Sequence, residues 1–339
     1  MEKPLESVLA LRLGGIGEVL SITPALKALR RTFPRVRVTL LAERPACEVA
    51  AGLVDEVIAA NALYRANGLR SLLRPRFYTE SVRLVEGLLR RKFDLFLDFH
   101  HLPGWRHVLK PVAIGILSRA PRRIGYDGGP MGFFLTEKAH DPPDRHMMER
   151  TRTVMARLGV EVTDSRPIFA VSDADRAWAA SLGLDGPLVA VSPGASNAVK
   201  MWDVERFAEV ARRLSAEARI VVTGSADERA LCARVPGVNL AGAMNLGRFA
   251  ALLERCRLLV SNDSGPVHIA YAVGTPVVGI FLPRAYREWG TYADAAKFRA
   301  LYRDGPGAQR GKTLKEITVE EVVAAAREFL ESHETAPRP

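Results

Sequence analysis

Val8-Leu9-Ala10-Leu11-Arg12-Leu13-Gly14-Gly15-Ile16-Gly17-Glu18-Val19-Leu20 holds the first readable unit of the chain. The apolar run Val8–Leu13 suits a short strand, and the glycines after it suit a tight turn. From Glu18 to Arg31 the apolar residues Val19, Ile22, Ala25, Leu26 and Leu29 recur at helical spacing, and Pro34 closes the segment. Val36–Ala42 reads as a second strand. Further strands are expected at Val54–Ala59, Asp94–Phe99 and Arg123–Tyr126, with helices at about 77–91, 105–118 and 144–158. Strands alternating with helices predict an α/β unit with a parallel sheet covered on both faces.

The segment 159–187 is rich in turn residues, with Gly159, Pro167, Gly183, Gly186 and Pro187. The alternation then restarts. Strands are expected at 188–192, 219–223, 238–241, 257–261 and 276–281, and helices at 202–216, 226–234, 246–255 and 265–273. A last helix at about 318–332 can pack back across the boundary. This places one domain at 1–165 and a second at 166–333, followed by a disordered tail at 334–339. No short repeat is visible. The halves read as two similar folds with a cleft between them.

The composition bounds the class. The 339 residues are 48% hydrophobic and 25% charged, which excludes collagen, a coiled coil and a disordered chain. Cys47, Cys232 and Cys256 are scattered and form neither a disulfide framework nor a zinc spacing, as expected in a reducing compartment. Met1-Glu2-Lys3-Pro4 does not begin a signal peptide, and no apolar stretch approaches the roughly 18 residues of a membrane span. A cytoplasmic or peripheral membrane location follows. The net charge is +10, and residues 1–170 hold 27 Lys+Arg against 18 Asp+Glu, or +9. An anionic partner for that half is one reading (nucleic acid, acidic membrane or phosphorylated substrate), and general solubility is the other.

Gly14, Gly15 and Gly17 lie between a strand and a helix, where backbone can approach a ligand and helix amides favour anions. Glu43 ends the second strand, where an NAD-binding acid would sit, but a dinucleotide fingerprint needs a third glycine where this chain has Leu20, which disfavours an NAD site. Glu18 is either a first-turn acid favoured by the helix dipole or a general base. Ser192-Pro193-Gly194-Ala195-Ser196-Asn197-Ala198-Val199-Lys200-Met201-Trp202 offers hydroxyl, amide and ammonium donors for phosphate oxygens, or is a turn with a solvated lysine. In Val260-Ser261-Asn262-Asp263-Ser264-Gly265-Pro266-Val267-His268 a strand ends and a helix begins, with Pro266 in its first turn. The amides of Ser264 and Gly265 would point from that helix start, with His268 one turn in; a helix cap and a structural histidine are the plainer readings.

Other chemistry is not signalled. H-E-x-x-H, C-x-x-C, P-loop and G-x-S-x-G are absent, and His100-His101 follows a strand without partners at metal spacing. Arg65, Arg70, Arg74, Arg76, Arg83, Arg90, Arg91 and Lys92 alternate with Leu69, Leu72, Leu73, Phe77, Leu84, Leu88 and Leu89. Such a surface can lie on anionic lipid, or be a packed helix with a basic outer face. No nucleic-acid motif accompanies it.

Taken together, these segments resemble the family 9 glycosyltransferases, the lipopolysaccharide heptosyltransferases. The resemblance rests on Leu11–Leu20 with Thr23–Arg30, Pro193–Ser196 through Lys200-x-Trp202, Val222-Thr223-Gly224, and Asn262–His268 with Gly274–Val278, with weaker echoes at Phe93–Phe99 and Arg122–Gly125. It implies a GT-B fold, two Rossmann-like domains facing a central cleft, the first binding acceptor and the second nucleotide-sugar. It further implies an inverting, metal-independent transfer without a cofactor, from ADP-L-glycero-D-manno-heptose to Kdo or heptose of the lipid A inner core. That chemistry belongs on the inner face of the inner membrane.

The family's catalytic aspartate falls on Glu18, one methylene longer, which would take the acceptor proton. Gly15 and Gly17 belong to the same glycine-rich signature. Lys200, the amides of Ser264 and Gly265, and His268 would share the charge of the departing diphosphate. Asp263 would contact the sugar hydroxyls or orient its loop. Ser196 and Asn197 fall where the family contacts phosphates, Asn197 departing from the usual type. Gly224, with Asp227 or Glu228, falls near the adenosine. A different nucleotide-sugar, or a noncatalytic binding relative, are the alternatives.

Overall fold

The computed structural model describes residues 4–60, 75–100, 105–127, 132–140, 146–290 and 296–332. The chain divides into two compact units, Met1–Ile168 and Phe169–Pro339.

In the first unit, β1 (Ser7–Leu11), α1 (Ile16–Thr32), β2 (Arg37–Ala42) and β3 (Glu56–Ala59) precede α2 (Pro75–Leu89). Then come β4 (Leu95–Asp98), α3 (Trp105–Ser118), β5 (Arg122–Tyr126), β6 (Glu137–Ala139) and α4 (Met147–Arg157). The strands lie in the order β3-β2-β1-β4-β5-β6, every pair parallel. Val8 to Leu11 are wholly buried, as central strands covered on both faces must be. Leu9 stands opposite Thr39 on one side and Phe96 on the other. Helix α1 buries almost its whole length, from Val19 through Leu29, which explains why its apolar pattern is broad.

The second unit repeats the arrangement. α5 (Asp173–Ala180) leads into β7 (Leu188–Ser192), α6 (Val204–Leu214), β8 (Arg219–Val222), α7 (Arg229–Cys232) and β9 (Val238–Asn239). α8 (Leu246–Arg255), β10 (Leu258–Asn262), α9 (Gly265–Ala272), β11 (Val277–Ile280), β12 (Phe298–Leu301) and α10 (Val319–Ser332) follow. The order β12-β11-β10-β7-β8-β9 is again all parallel. Val191, Val260 and Val278 sit side by side across three strands, and Phe207, Leu214, Val322 and Phe329 from α6 and α10 pack in the same core. Helix α10 packs on α6, β10 and β11.

Both sheets have the doubly wound order, the first strand flanked by the second and the fourth. The fold is therefore α/β with two Rossmann-like units. In each, the connections leave the first and fourth strands in opposite directions, opening a crevice at their carboxyl ends. Among the elements the sequence missed is α5, inside the turn-rich stretch 159–187. Its N-cap Ser172 accepts a hydrogen bond from the Asp175 amide at 3.1 Å. The short strands β6 and β12 were also missed, and the expected helix at 226–234 is a turn of 3-10 helix, Ala226–Glu228, followed by α7. Of the basic stretch, Arg65, Arg70 and Arg74 lie outside the described residues, as do Leu69, Leu72, Leu73, His101 and the tail at 334–339.

Candidate functional site

In the second unit the crevice opens between β7 and β10, where Ser192 stands opposite Ser261. Asn262, fully buried at the end of β10, holds both ends of the neighbouring loop. Its Nδ2 donates to the Pro193 carbonyl at 2.7 Å, and its Oδ1 accepts from the Trp202 amide at 2.9 Å. Trp202 is itself anchored, its indole donating to the Ile317 carbonyl at 3.2 Å and its ring meeting Phe207 edge-on. Losing a partner would leave buried polar groups unsatisfied at about 1–3 kcal/mol each, so the clamp holds the loop firmly.

The loop then delivers Lys200. The Asn197 side chain accepts from the Val199 amide at 3.0 Å and so caps the 3-10 turn Ala198–Lys200. Lys200 Nζ reaches Asp263 Oδ2 at 2.6 Å, with Asp263 buried and Lys200 a third exposed. This short, charge-assisted contact holds an ammonium at the carboxyl edge of β10 while leaving part of it open to solvent. Ser196 and Asn197 are exposed on the same loop.

Beside them begins α9. Ser264 is its N-cap residue, yet its side chain makes no capping bond. Its hydroxyl donates instead to the Asn262 carbonyl at 3.2 Å, and Pro266 has no N–H to offer. The helix start, with the Gly265 amide, thus keeps the partial positive charge that favours an anion. His268 is buried, its ring edge-on to Trp289 with centroids 5.9 Å apart.

The strand ends of β7 and β8 complete the edge. Ser192 and Thr223 hydroxyls, both buried, bond each other at 2.6 Å, so Ser192 ties β7 to the end of β8. Gly194 and Gly224 flank the Glu228 carboxylate. A Cβ at Gly194 would run into Glu228 Oε1, and one at Gly224 would lie 2.8 Å from Cys232 Sγ. Glu228 Oε2 accepts from the Ser225 amide at 2.7 Å and hydroxyl at 2.9 Å, while Asp227 is exposed. Burial, then the nearby Glu228 charge, push the Cys232 thiol up to about 11.

In the first unit, the turn after β1 is tied amide by amide. Arg12 N donates to the Leu41 carbonyl at 3.1 Å, Leu13 N to His100 Nε2 at 2.6 Å and Gly14 N to Glu43 Oε1 at 2.8 Å. Glu43, at the strand end where an NAD-binding acid would sit, is thus turned onto the glycine loop of its own unit. Gly14 has φ +135°, open to glycine and strained for other residues. The Glu18 side chain folds over this turn: a Cβ on Gly14 would meet Glu18 Cγ at 2.9 Å, and one on Gly15 would meet Glu18 Oε2 at 3.1 Å. Gly17 is buried in the first turn of α1. The buried Arg12 guanidinium bonds the Glu18 carbonyl at 3.3 Å and the Phe99 carbonyl.

A family model for glycosyltransferase family 9 (heptosyltransferase) matches residues 82–317, more than half of the chain. The chain belongs to glycosyltransferase family 9. It is 23% identical, over 92% of its length and 89% of the relative's, to the lipopolysaccharide core heptosyltransferase OpsX of Haemophilus influenzae. It is 24% identical to lipopolysaccharide heptosyltransferase 3 of Escherichia coli K12, covering 93% and 95% of the two chains. A solved family 9 glycosyltransferase from Veillonella parvula superposes with a TM-score of 0.79 at 24% identity, covering 98% and 99%. The Escherichia coli heptosyltransferase WaaC superposes with a TM-score of 0.71 at 20% identity, covering 96% and 99%. The family 9 chain accordingly has the GT-B type of fold and is a glycosyltransferase.

Within this transferase, the second unit gathers Lys200, Asp263, Ser264 and Gly265 at one strand edge, with Ser196 and Asn197 on the adjoining loop. Gly224 and Glu228 meet that loop at Gly194. Glu18, Gly15 and Gly17 share the turn of the first unit. Sequence reading missed Asn262 as a clamp, although its place at a strand end was visible, and missed Arg12 and His100 as supports of the glycine turn. Arg12, a charge closing an apolar run, was the available signal.

Proposed function

We propose that this family 9 enzyme transfers heptose from ADP-L-glycero-D-manno-heptose to Kdo or heptose of the lipopolysaccharide inner core, with inversion and without a metal. The observation that carries the reading is Lys200, held by Asp263 beside the uncapped start of α9. An ammonium and a helix N-terminus side by side suit the two charges of a diphosphate. The printed names of the relatives are in keeping with this donor: WaaC has been solved with ADP and with ADP-2-deoxy-2-fluoro heptose, and OpsX acts on lipopolysaccharide core.

In this scheme the second domain holds the donor and the first the acceptor. The Glu18 carboxylate takes the proton of an acceptor hydroxyl as its oxygen bonds to the anomeric carbon. The bond from that carbon to the diphosphate breaks on the opposite face, and the electron pair leaves with ADP. Lys200, the Ser264 and Gly265 amides, and His268 stabilise that departing charge. Asp263 reaches sugar hydroxyls while orienting Lys200. Ser196 and Asn197 add phosphate contacts, and Gly224, Asp227 and Glu228 line the nucleoside end.

The acceptor carries a lipid, so we place the enzyme in the cytoplasm against the anionic inner face of the inner membrane. Helices α2 and α3 pack together and leave Tyr78, Val82, Leu109 and Ile116 exposed, near exposed Arg83 and Arg90. No helix among the described residues is long and apolar enough to cross a membrane.

The deciding experiment incubates the purified chain with ADP-heptose and truncated inner-core lipid A, then weighs the products. A gain of one heptose supports the reading. Transfer from a UDP-sugar instead would replace the donor, and ADP-heptose binding without transfer would leave a noncatalytic relative.

A further inference from the structure

The glycine turn beneath Glu18 is held from the side by a histidine outside the family resemblance argued above. His100 follows β4, the strand next to β1. Its Nε2 lies 2.6 Å from the Leu13 amide nitrogen, and its Nδ1 lies 2.7 Å from Asp98 Oδ1. The same Asp98 oxygen accepts the His100 amide at 2.9 Å. Asp98 and the His100 side chain are both buried.

The chemistry leaves one arrangement. A backbone N–H is a donor, so Nε2 facing Leu13 must carry a lone pair and no proton. The ring proton then resides on Nδ1 and is donated to the Asp98 carboxylate. The carboxylate therefore selects the tautomer, and the tautomer makes the ring an acceptor for the turn. An imidazolium, or the opposite tautomer, would set N–H against N–H at Leu13. Other charges nearby are the Arg12 guanidinium, which bonds the Phe99 carbonyl, and Glu43, which takes the next amide, Gly14 N. Leu13 is thus gripped from β4 while Arg12 and Gly14 are gripped from the side of β2.

We propose that Asp98 and His100 are positioning residues for transfer: through the Leu13 amide they set the Gly14–Gly15 turn on which the Glu18 carboxylate rests. This rests on Glu18 being the base, as proposed above. A displaced turn moves the carboxylate without touching the donor loop of the second unit, so turnover should fall while donor affinity holds.

The test compares His100→Leu, which removes the acceptor, with His100→Gln, whose amide oxygen can accept from Leu13. His100→Leu should lower kcat by at least tenfold with the KM for ADP-heptose within twofold of wild type. His100→Gln should recover kcat to within about threefold. Equal losses in the two variants, a wild-type kcat in His100→Leu, or a change confined to the donor KM would each overturn the proposal. Should His100→Leu fail to fold, nitrogen NMR of the histidine-labelled wild-type enzyme decides independently of activity, His100 being assigned by its loss in His100→Gln. Neutral His100 protonated at Nδ1 supports the proposal, and protonation at Nε2 near neutral pH overturns it. Glu18→Gln runs in parallel: undiminished transfer there removes the base assignment, whereas an inactive Glu18→Gln beside a fully active His100→Leu removes the positioning role alone.

Discussion

Asn262 binds Pro193 and Trp202 with the two ends of one amide, and it does so with no exposure to solvent. Asn262→Ala should therefore lower unfolding free energy by about 2–6 kcal/mol, two buried groups losing their partner. It should also weaken ADP binding by calorimetry, because the Lys200 loop is released; an unmoved urea midpoint would dismiss the clamp. Lys200→Ala should cut transfer at least tenfold, the usual scale for one donor to a developing anion. Undiminished turnover would end its diphosphate role. Cys232 gives a pH prediction. Its thiol is raised from the ordinary 9.0 to about 11 by burial first and Glu228 second. Between those values the unfolded thiol ionises while the folded one keeps its proton. Stability present below about pH 9 is thus lost as pH rises toward 11. Replacing Cys232 with Ala should remove about 1 kcal/mol of the stability change between about pH 8 and pH 10, whatever the cost of the cavity itself.

Helix α10 shows the same logic for an element. The Thr318 amide donates to Glu321 Oε2 at 2.9 Å, and the Glu321 amide donates back to Thr318 Oγ1 at 3.2 Å. This reciprocal cap anchors a helix whose Val322 and Phe329 lie in the core of the second unit. The Thr318 amide, ahead of the opposing effect of burial and with help from Arg303, holds the Glu321 carboxyl below its ordinary value. That contribution is present above the unfolded pKa and lost as pH falls through the folded one. Thr318→Ala should cost about 0.5–2 kcal/mol in urea unfolding at neutral pH through the lost hydroxyl cap, while most of the acid dependence from Glu321 persists because the backbone amide remains. Elements escaped the sequence where local signals conflicted. α5 sits in a stretch rich in glycine and proline, and of its residues only Ala179 is buried, so no apolar stripe announces it. β6 (Glu-Lys-Ala) and β12 (Phe-Arg-Ala-Leu) are edge strands, short and partly polar. The strands flanking each crevice were legible because burial on both faces writes continuous apolar runs.

At the scale of the molecule, both units carry one strand order, and the charge is divided unequally between the halves. ADP at a hundred times its Kd should add about 2.7 kcal/mol to the folded state, visible as a raised melting temperature, with UDP giving a smaller shift. Equal protection by both would point away from an adenine donor. The first 170 residues, at +9, should bring the chain to anionic vesicles and release it as salt is raised, whereas binding to neutral vesicles at the same strength would rule out an electrostatic attachment. From its sequence alone, this protein was bound to be two parallel α/β halves, with glycine turns and helix starts at the strand ends. Those features are local, written in periodicity and in where glycine and proline fall. Only the tertiary structure decided which side chains meet there. Leu13 and His100 are 87 residues apart, and Asn262 and Trp202 are 60 apart. Their contacts depend on which strand lies beside which, and that order is settled by packing both faces of each sheet at once, which no local pattern encodes.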